Sequence, residues 1–560
     1  MFFLVELRLP GSFSLLMILI PRNHEKGNST KQLNRVKFVL WRSSAMSGQL
    51  SLGNVDFELG TLTSFAPRKA KDNTPFSVAV LADFSGRGNR GLCETGPSIA
   101  ARRRISVDID NLDNLPMKLD AEIHIPLGGK DGPRITLRFN ELDDFHPDKI
   151  FDRLEVFQKL KTIRKLLQDP ATFAEAASQV RSWKASQQEE ARPDDEPAKS
   201  SQAQKETDVD TIDRLLGKKT NRESTLASAS KFVDIESLIH EVVKPYIVPA
   251  PDPQQAELVA QVDQAISGQM RAILHYPGFQ ELEAAWRMLQ FLVSQVETDE
   301  TLKLYLIDVS KAELAADLAS TDQIQSAGAY HLLAGQSEAE PYAVILGGYT
   351  FEQTAEDIKL LRRLGLVAQA AGAPLLTAAD SRFAGCQSLA ATPDPDDWRW
   401  QANSSAIPLW QELRHSPEAA YIGLVLPRFL LRLPYGKDTD PVEQFDFEEF
   451  SPFAGHEQYL WGNSAALCAC LLAGAFREFG WSFTNGLRCD LAGIPMHIYQ
   501  SEGEKHVTPC AETILTERAM ESLIGRGLMP VLSIKGRDAI RVPRFQSIAE
   551  PPAPLTGPWR

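Results

Sequence analysis

The chain has 560 residues, 43% hydrophobic and 24% charged, with a formal net charge of -14. This is the composition of a globular protein with apolar surface for roughly two to four domains. The acidic excess excludes a general nucleic-acid or anionic-membrane binder, which needs a basic face.

Six cysteines (93, 386, 468, 470, 489 and 510) include no C-x-x-C pair, and Cys468-Ala469-Cys470 is too short for a zinc knuckle. They read as buried thiols in a reducing compartment, which places the chain in the cytoplasm. No apolar run approaches the roughly 20 residues of a membrane-spanning helix, so no stable membrane insertion is expected. Residues 1–45 contain one short apolar run, Leu15–Ile20, between mixed charged flanks. They read as an upstream segment with Met46 as the true start; the alternative is a weak signal peptide.

Residues 46–74 are polar and Gly-rich, with a strand expected at Val55–Leu59. Phe76–Ala82 (FSVAVLA) is a short, nearly continuous apolar run, the pattern of a buried strand. Three period-2 runs follow: Ile105/Val107/Ile109, Leu119/Ala121/Ile123/Ile125 and Ile135/Leu137/Phe139, each a half-buried strand. The break at Gly128–Gly132 joins the last two as a hairpin. Pro147 and Asp148 then open a helix whose apolar stripe is Ile150, Leu154, Phe157, Leu160, Ile163 and Leu167; Pro170 closes it. Residues 75–170 are therefore expected to form a compact α+β module.

Residues 171–230 read as a flexible linker, because 185–206 hold almost nothing that can be buried. Within it, Ile212, Leu215 and Leu216 in Val209–Lys218 have the spacing of a short amphipathic helix. Such a helix docks either on a partner or on its own domain.

Residues 231–545 alternate helical and strand patterns. Helices are expected at Gln255–Leu274, Gln280–Val293, Ala355–Ala371 and Trp461–Glu478, and strands at Leu302–Val309, Tyr342–Leu346, Pro374–Ala378 and Tyr421–Leu426. Such βαβ alternation predicts a larger α/β domain with a mixed, mainly parallel sheet. Residues 546–560, ending PPAPLTGPWR, read as a mobile, disordered tail.

The chemical motifs are weak. Gly86–Gly91 fits G-x-G-x-x-G, but Gly96-Pro97 and the strand that follows deny it the helix whose N-terminus would hold a pyrophosphate. Gly462-Asn463-Ser464 lacks the last glycine of a nucleophile elbow. His456-Glu457 begins H-E-x-x-H, but Leu460 stands where the second histidine belongs. Asp394–Asp397 lacks the glycine and glutamate of a calcium loop. No catalytic residue, metal site or cofactor is expected, and the chain is not read as an enzyme.

Several segments carry a family likeness. PFSVAVLADFSGR (75–87), RRRISVDIDNLD (102–113) and LRFNELDDFHPDKIFDRLEVFQKLKTIRKLLQD (137–169) resemble the small subunit of the bacterial type VI secretion contractile sheath. HYPGFQELEAAWRMLQFLV (275–293), EPYAVILGGYTF (340–351), YIGLVLPRFLLRLPYG (421–436) and HEQYLWGNSA (456–465) are similar to the large sheath subunit, which has a phage-tail-sheath-like fold. The resemblance implies a structural subunit that polymerises with other sheath subunits around an inner tube protein and contracts to propel effectors. It also implies contact with the baseplate and recycling by an AAA+ unfoldase, which would engage Ile212, Leu215 and Leu216. An alternative is a non-polymerising adaptor or cap that binds the baseplate or the unfoldase. Two departures stand out. Both subunits lie on one chain, joined by a linker of ~40 residues with a span of about 35 Å, and the large-subunit part stops short of the family's terminal region. Arg428 and Arg432 are the candidate assembly contacts: they face a neighbour or the inner tube, or pair internally with Asp446, Glu448 or Glu449.

Overall fold

The computed structural model describes residues 69–126, 134–169, 171–180, 255–335, 340–451, 455–483 and 487–559, and the backbone of three strands before them. The chain divides into two compact units, 1–66 and 67–560. The first holds an antiparallel three-stranded sheet of β1 (Leu4–Leu9), β2 (Phe13–Ile18) and β3 (Lys37–Arg42). The expected strand at Val55–Leu59, the hairpin loop 128–132, residues 185–206 and the helix 209–218 lie outside the described residues.

The second unit is built on a seven-stranded sheet. Its strands are β4 (Phe76–Ala82), β5 (Ile105–Val107), β8 (Leu302–Asp308), β9 (Val344–Phe351), β10 (Leu375–Ala379), β11 (Ile422–Leu426) and β17 (Met529–Pro530), in the order β17-β11-β10-β9-β4-β8-β5. All pair in parallel except β5, which runs antiparallel to β8. A hairpin of β6 (Ala121–Pro126) and β7 (Arg134–Phe139) stands apart from this sheet.

The strand from the N-terminal part lies near the middle of the sheet. β4 pairs with β8 along its whole length, from Phe76 opposite Leu302 to Ala82 opposite Asp308, and with β9 from Val78 opposite Val344 to Leu81 opposite Gly347. Every residue of β4 is buried. Phe76, Val78, Val80 and Ala82 join one apolar cluster and Ala79 and Leu81 the other, so both faces are covered. That explains a run apolar but for Ser77 where a one-sided strand would alternate. Two strands of the 75–170 stretch, β4 and β5, thus complete the sheet of 302–530. The coarser expectation, a mixed α/β fold with a mixed sheet, agrees with the structure.

One face of the sheet carries the helices Glu155–Gln168, Gln255–Leu274, Pro277–Gln295 and Ala465–Phe479; the other carries Lys311–Ala319 and Ala355–Ala371. Trp286, fully buried, donates its indole N–H to the Phe84 carbonyl at 2.8 Å and sets its ring edge-on to Phe84. Phe76 packs against Phe476 and Trp481, with ring centroids 5.0 and 5.6 Å away.

Three local expectations differ. The strand at Ile105 ends at Val107, because the Asp108 carboxylate accepts the amides of Asp110 (3.1 Å) and Asn111 (2.9 Å) and turns the chain; Ile109 is left 74% exposed. The helix over 147–167 is two, Pro147–Arg153 and Glu155–Gln168, with extended Leu154 between them. The tail is docked rather than loose: Thr556 donates its amide to Ala420 (2.8 Å), Leu555 is buried, and Trp559 packs on Phe483 at 5.5 Å. Its prolines forbid regular structure but not a fitted extended path along the core.

Phe76→Ala leaves a cavity where β4 meets three aromatic rings, so it is expected to destabilise the second unit by about 3–5 kcal/mol. A urea midpoint unchanged from the parent chain would contradict this placement of the ring.

Candidate functional site

The stretch from β11 through Leu467 holds both candidate arginines. β11 ends at Leu426, and the chain then forms β12 (Phe429–Leu430), which pairs antiparallel with β13 (Trp461–Gly462). The described residues between these two short strands, 431–451 and 455–460, form a strap over the fold.

Arg432 closes the base of the strap. Its Nε and Nη2 donate to Glu283 (2.7 and 3.1 Å), and Nη1 and Nη2 donate to Glu449 (2.8 and 3.1 Å). Its guanidinium lies 4.1 Å over the Tyr435 ring. Glu283, Glu449 and Tyr435 are buried, and the Tyr435 amide donates to Glu449 at 2.7 Å. Burial alone would raise the Glu449 pKa, but the adjacent Arg432 charge and its hydrogen bonds outweigh it and hold the carboxyl at about 2. Burial likewise opposes the Arg432 charge, and the two carboxylates reverse this, pushing its pKa well up. Arg287 extends the cluster, with its guanidinium 3.5 Å from Glu283 and 3.4 Å from the Tyr435 hydroxyl. Two carboxylates around one stacked guanidinium satisfy its fork geometry almost completely.

Beyond this knot the strap grips the helices of the N-terminal part. The Asp148 carboxylate accepts the amides of Glu443 (3.0 Å) and Gln444 (2.9 Å), and Lys161 donates to the Gln444 side chain at 2.9 Å. Phe445 stacks on Phe151 at 4.8 Å, and His146 meets Tyr435 edge-on at 4.9 Å. On the other side Arg271 donates to the Glu448 carbonyl at 2.8 Å.

Arg428 sits at the rim. Its Nε and Nη2 donate to Glu512 (3.2 and 2.6 Å), and Nη2 lies 3.5 Å from Glu457. His456 Nε2 is 3.0 Å from Glu512 and 3.2 Å from Glu457. Burial opposes ionisation of Glu512, yet the His456 and Arg428 hydrogen bonds hold its pKa at about 2. The His456, Glu457 and Glu512 ligand atoms all lie within 4.8 Å of one another, but the Arg428 guanidinium already supplies a cation there.

Of the internal partners expected for these arginines, Glu449 is the one engaged by Arg432. Arg428 pairs with Glu512, 84 residues ahead in sequence. Glu283 and Glu512 were missed. The signal for Glu283 was a carboxylate inside an apolar helix face (Leu282, Ala285, Trp286, Leu289) with Arg287 one turn on; Glu512 carries no comparable mark. Ile212, Leu215 and Leu216 lie outside the described residues.

The weak motifs have structural explanations. The amides of Arg87 and Gly88 both donate to the Asp83 carboxylate at 2.7 Å, so the chain's own anion occupies the concavity where a phosphate would bind. Gly86, at φ 74°, passes so close to the Glu122 carbonyl that a Cβ would lie 2.2 Å from its oxygen. The Ser464 hydroxyl is buried and donates to the Pro427 carbonyl at 2.5 Å. The Asp394 side chain caps its own turn by accepting the Asp396 amide at 3.0 Å.

Comparison with known proteins matches these two halves to two families. A family described as "EvpB/VC_A0108, tail sheath N-terminal domain" matches residues 256–549, and one described as "Type VI secretion system, VipA, VC_A0107 or Hcp2" matches 61–183. The chain belongs to the type VI secretion tail sheath family. It is 33% identical over 353 residues to the type VI secretion system sheath protein TssC1 of Pseudomonas aeruginosa, across 61% of this chain and 67% of that protein. It is 27% identical over 107 residues to sheath protein TssB1 of the same organism, across 18% of this chain and 60% of that protein. This sheath-family chain thus carries regions similar to both proteins in tandem; the Arg432 knot fastens the strap to the helix Pro277–Gln295 of its own region, and Asp148, Lys161 and Phe151 fasten it to the helices of the other.

Arg432→Met leaves two buried carboxylates facing each other and is expected to cost about 3–5 kcal/mol; a melting temperature within a degree or so of the parent would refute the knot. Glu449, Glu512 and Glu313 each titrate at about 2 in the fold against an ordinary 4.5. Because these pKa values are depressed, their stabilisation is complete above the unfolded value and is lost as pH falls from about 4.5 towards 2. Equilibrium unfolding across that window should show the loss, with a shallower slope in Glu512→Gln.

Proposed function

We propose that the chain is a structural, non-enzymatic subunit of a cytoplasmic type VI contractile sheath, assembling around an inner tube whose propulsion delivers effectors. The observation that carries this reading is the seven-stranded sheet itself: a strand from the region similar to TssB1 is built into the sheet of the region similar to TssC1. The chain thereby presents both sheath parts in one paired body. No helix among the described residues is long and apolar enough to cross a membrane, in keeping with a sheath that works from inside the cell.

In this reading the two arginines divide their roles. Arg432, sealed between two carboxylates, acts through the fold. Arg428, whose side chain is 34% exposed, stands at the rim where a neighbouring subunit or the inner tube can reach it. The baseplate nucleates the assembly. An AAA+ unfoldase recycles it by engaging Ile212, Leu215 and Leu216.

Production of the chain with its inner tube protein should yield tubes or rings visible by electron microscopy. A protein that stays strictly monomeric with those partners present would overturn the reading. Arg428→Glu is expected to reduce tube number and, by setting a third carboxylate beside Glu457 and the largely buried Glu512, to lower the melting temperature as well, whereas deletion of residues 209–218 should leave tubes intact and abolish unfoldase capture in a pull-down.

A further inference from the structure

β8 and β9 do not pair with each other; β4 lies between them and bonds to both. Without β4 the sheet would have a slot one strand wide, with two open ladders at its centre. The chain's own residues close that slot at both ends: Phe76 donates its amide to Thr301 at 2.7 Å, and Val309 donates to Ala82 at 2.9 Å.

The surfaces beside the slot are occupied as well. Glu313, fully buried on the helix Lys311–Ala319, accepts Arg87 at 2.9 Å and Arg102 at 2.6 and 2.9 Å. These arginines come from the N-terminal part, where both also meet Glu94 at 2.8 and 3.0 Å, and the carboxylate from the C-terminal part, so it is Glu313 that depends on the other part for its charge partners. A buried carboxylate stripped of both arginines is strongly disfavoured, which penalises any state with the slot empty.

The connection between the parts also closes locally. Residues 181–254 leave from Val180, fully buried, and return at Gln255, whose side chain donates to the Leu167 carbonyl at 2.5 Å. Nearby, Arg164 on the outgoing helix pairs with Asp263 on the incoming one, with Nη2 3.1 Å from Oδ2. The helix Glu155–Gln168 before the connection and the helix Gln255–Leu274 after it are therefore held against each other. Joining the two parts on one chain raises the local concentration of each near the other, by an amount that falls as the connection lengthens.

We infer that the chain is a closed protomer: its own residues 69–180 fill the slot and the ion-pair sockets that a second copy's N-terminal part, or a free small-subunit-like protein, would need. It joins an assembly as a pre-paired unit and exchanges no halves with its neighbours. The partner that fits its remaining surface is another complete unit. The consequence for assembly rests on the sheath reading above; the pairing itself does not.

The test uses full-length chains in which Cys93, the exposed thiol, is replaced by serine. A single chain carrying Arg164→Cys and Asp263→Cys should be joined internally by a short bismaleimide and keep single-chain mass. When one chain carries only Arg164→Cys and a co-produced second chain only Asp263→Cys, no cross-linked pair should form. A cross-linked dimer in that mixture, as abundant as the internal product of the double variant, would show exchanged halves and overturn the inference. Asp152→Cys with Gln444→Cys, whose native side chains meet at 3.2 Å, repeats the test on the strap should the first pair perturb folding. In a second arm, a chain cut at a protease site inserted within 181–254 is mixed with intact chains. Transfer of its N-terminal half into intact chains would also overturn the inference; retention is expected. Both readouts work on chains that never form tubes, so a failed sheath reading cannot be mistaken for a failed closure.

Discussion

A strand that is buried on both faces and paired on both edges has no substitute within its sheet, and β4 is that strand. Its seven residues supply ladder bonds to β8 and β9 and side chains to both apolar clusters. Buried backbone amides and carbonyls must be paired, so the sheet of the C-terminal part is complete only with a segment that precedes it by more than 200 residues. The other long-range contacts extend from this one. The indole of Trp286 reaches the carbonyl of Phe84 just past the end of β4. Asp308, at the end of β8, accepts the Phe84 amide at 2.8 Å and the Ser85 hydroxyl at 2.7 Å.

The charged knots then fix orientation rather than supply bulk stability. Burying Arg432 with Glu283 and Glu449 costs desolvation that the close charges only offset, so such a cluster is a poor source of net folding energy. It is an effective filter against wrong arrangements, because any shift of the strap strands at least one buried charge. Glu313 does the same on the opposite face with Arg87 and Arg102. With one knot on each face, the first fixes the strap on the helix Pro277–Gln295 and the second fixes the N-terminal part on the helix Lys311–Ala319.

Much of this was legible in the residues, and the failures have physical causes. FSVAVLA announced a buried strand, and the helices Gln255–Leu274 and Ala355–Ala371 follow their apolar spacing to the residue. Sequence order, however, suggested that neighbours in the chain form a module, whereas β4 finds its partners at 302–308 and 344–347. Periodicity reports how many faces of a strand are buried; it does not report which strands bury them. The tail was misread for a related reason. Prolines remove donors and regular structure, but Leu555 and Trp559 still find apolar partners when the docking surface is preformed. In the assembly stretch, the arginines and Glu449 were visible but Glu283 and Glu512 were not, since these lie far away in sequence.

The tandem arrangement gives this interdependence a direction. When two parts that share one sheet are separate molecules, each must avoid exposing its open ladders before they meet, and unpaired strand edges favour aggregation. On one chain the meeting is intramolecular, and the entropy of closing the intervening loop grows only slowly with its length. The length of residues 181–254 is therefore weakly constrained by folding. What is tightly constrained is where its two ends attach: Val180 is buried in the core, and Gln255 opens a helix that Asp263 and Arg164 hold against Glu155–Gln168. Tolerance in the middle and exactness at the ends is the pattern expected of a connection that secures pairing without taking part in it.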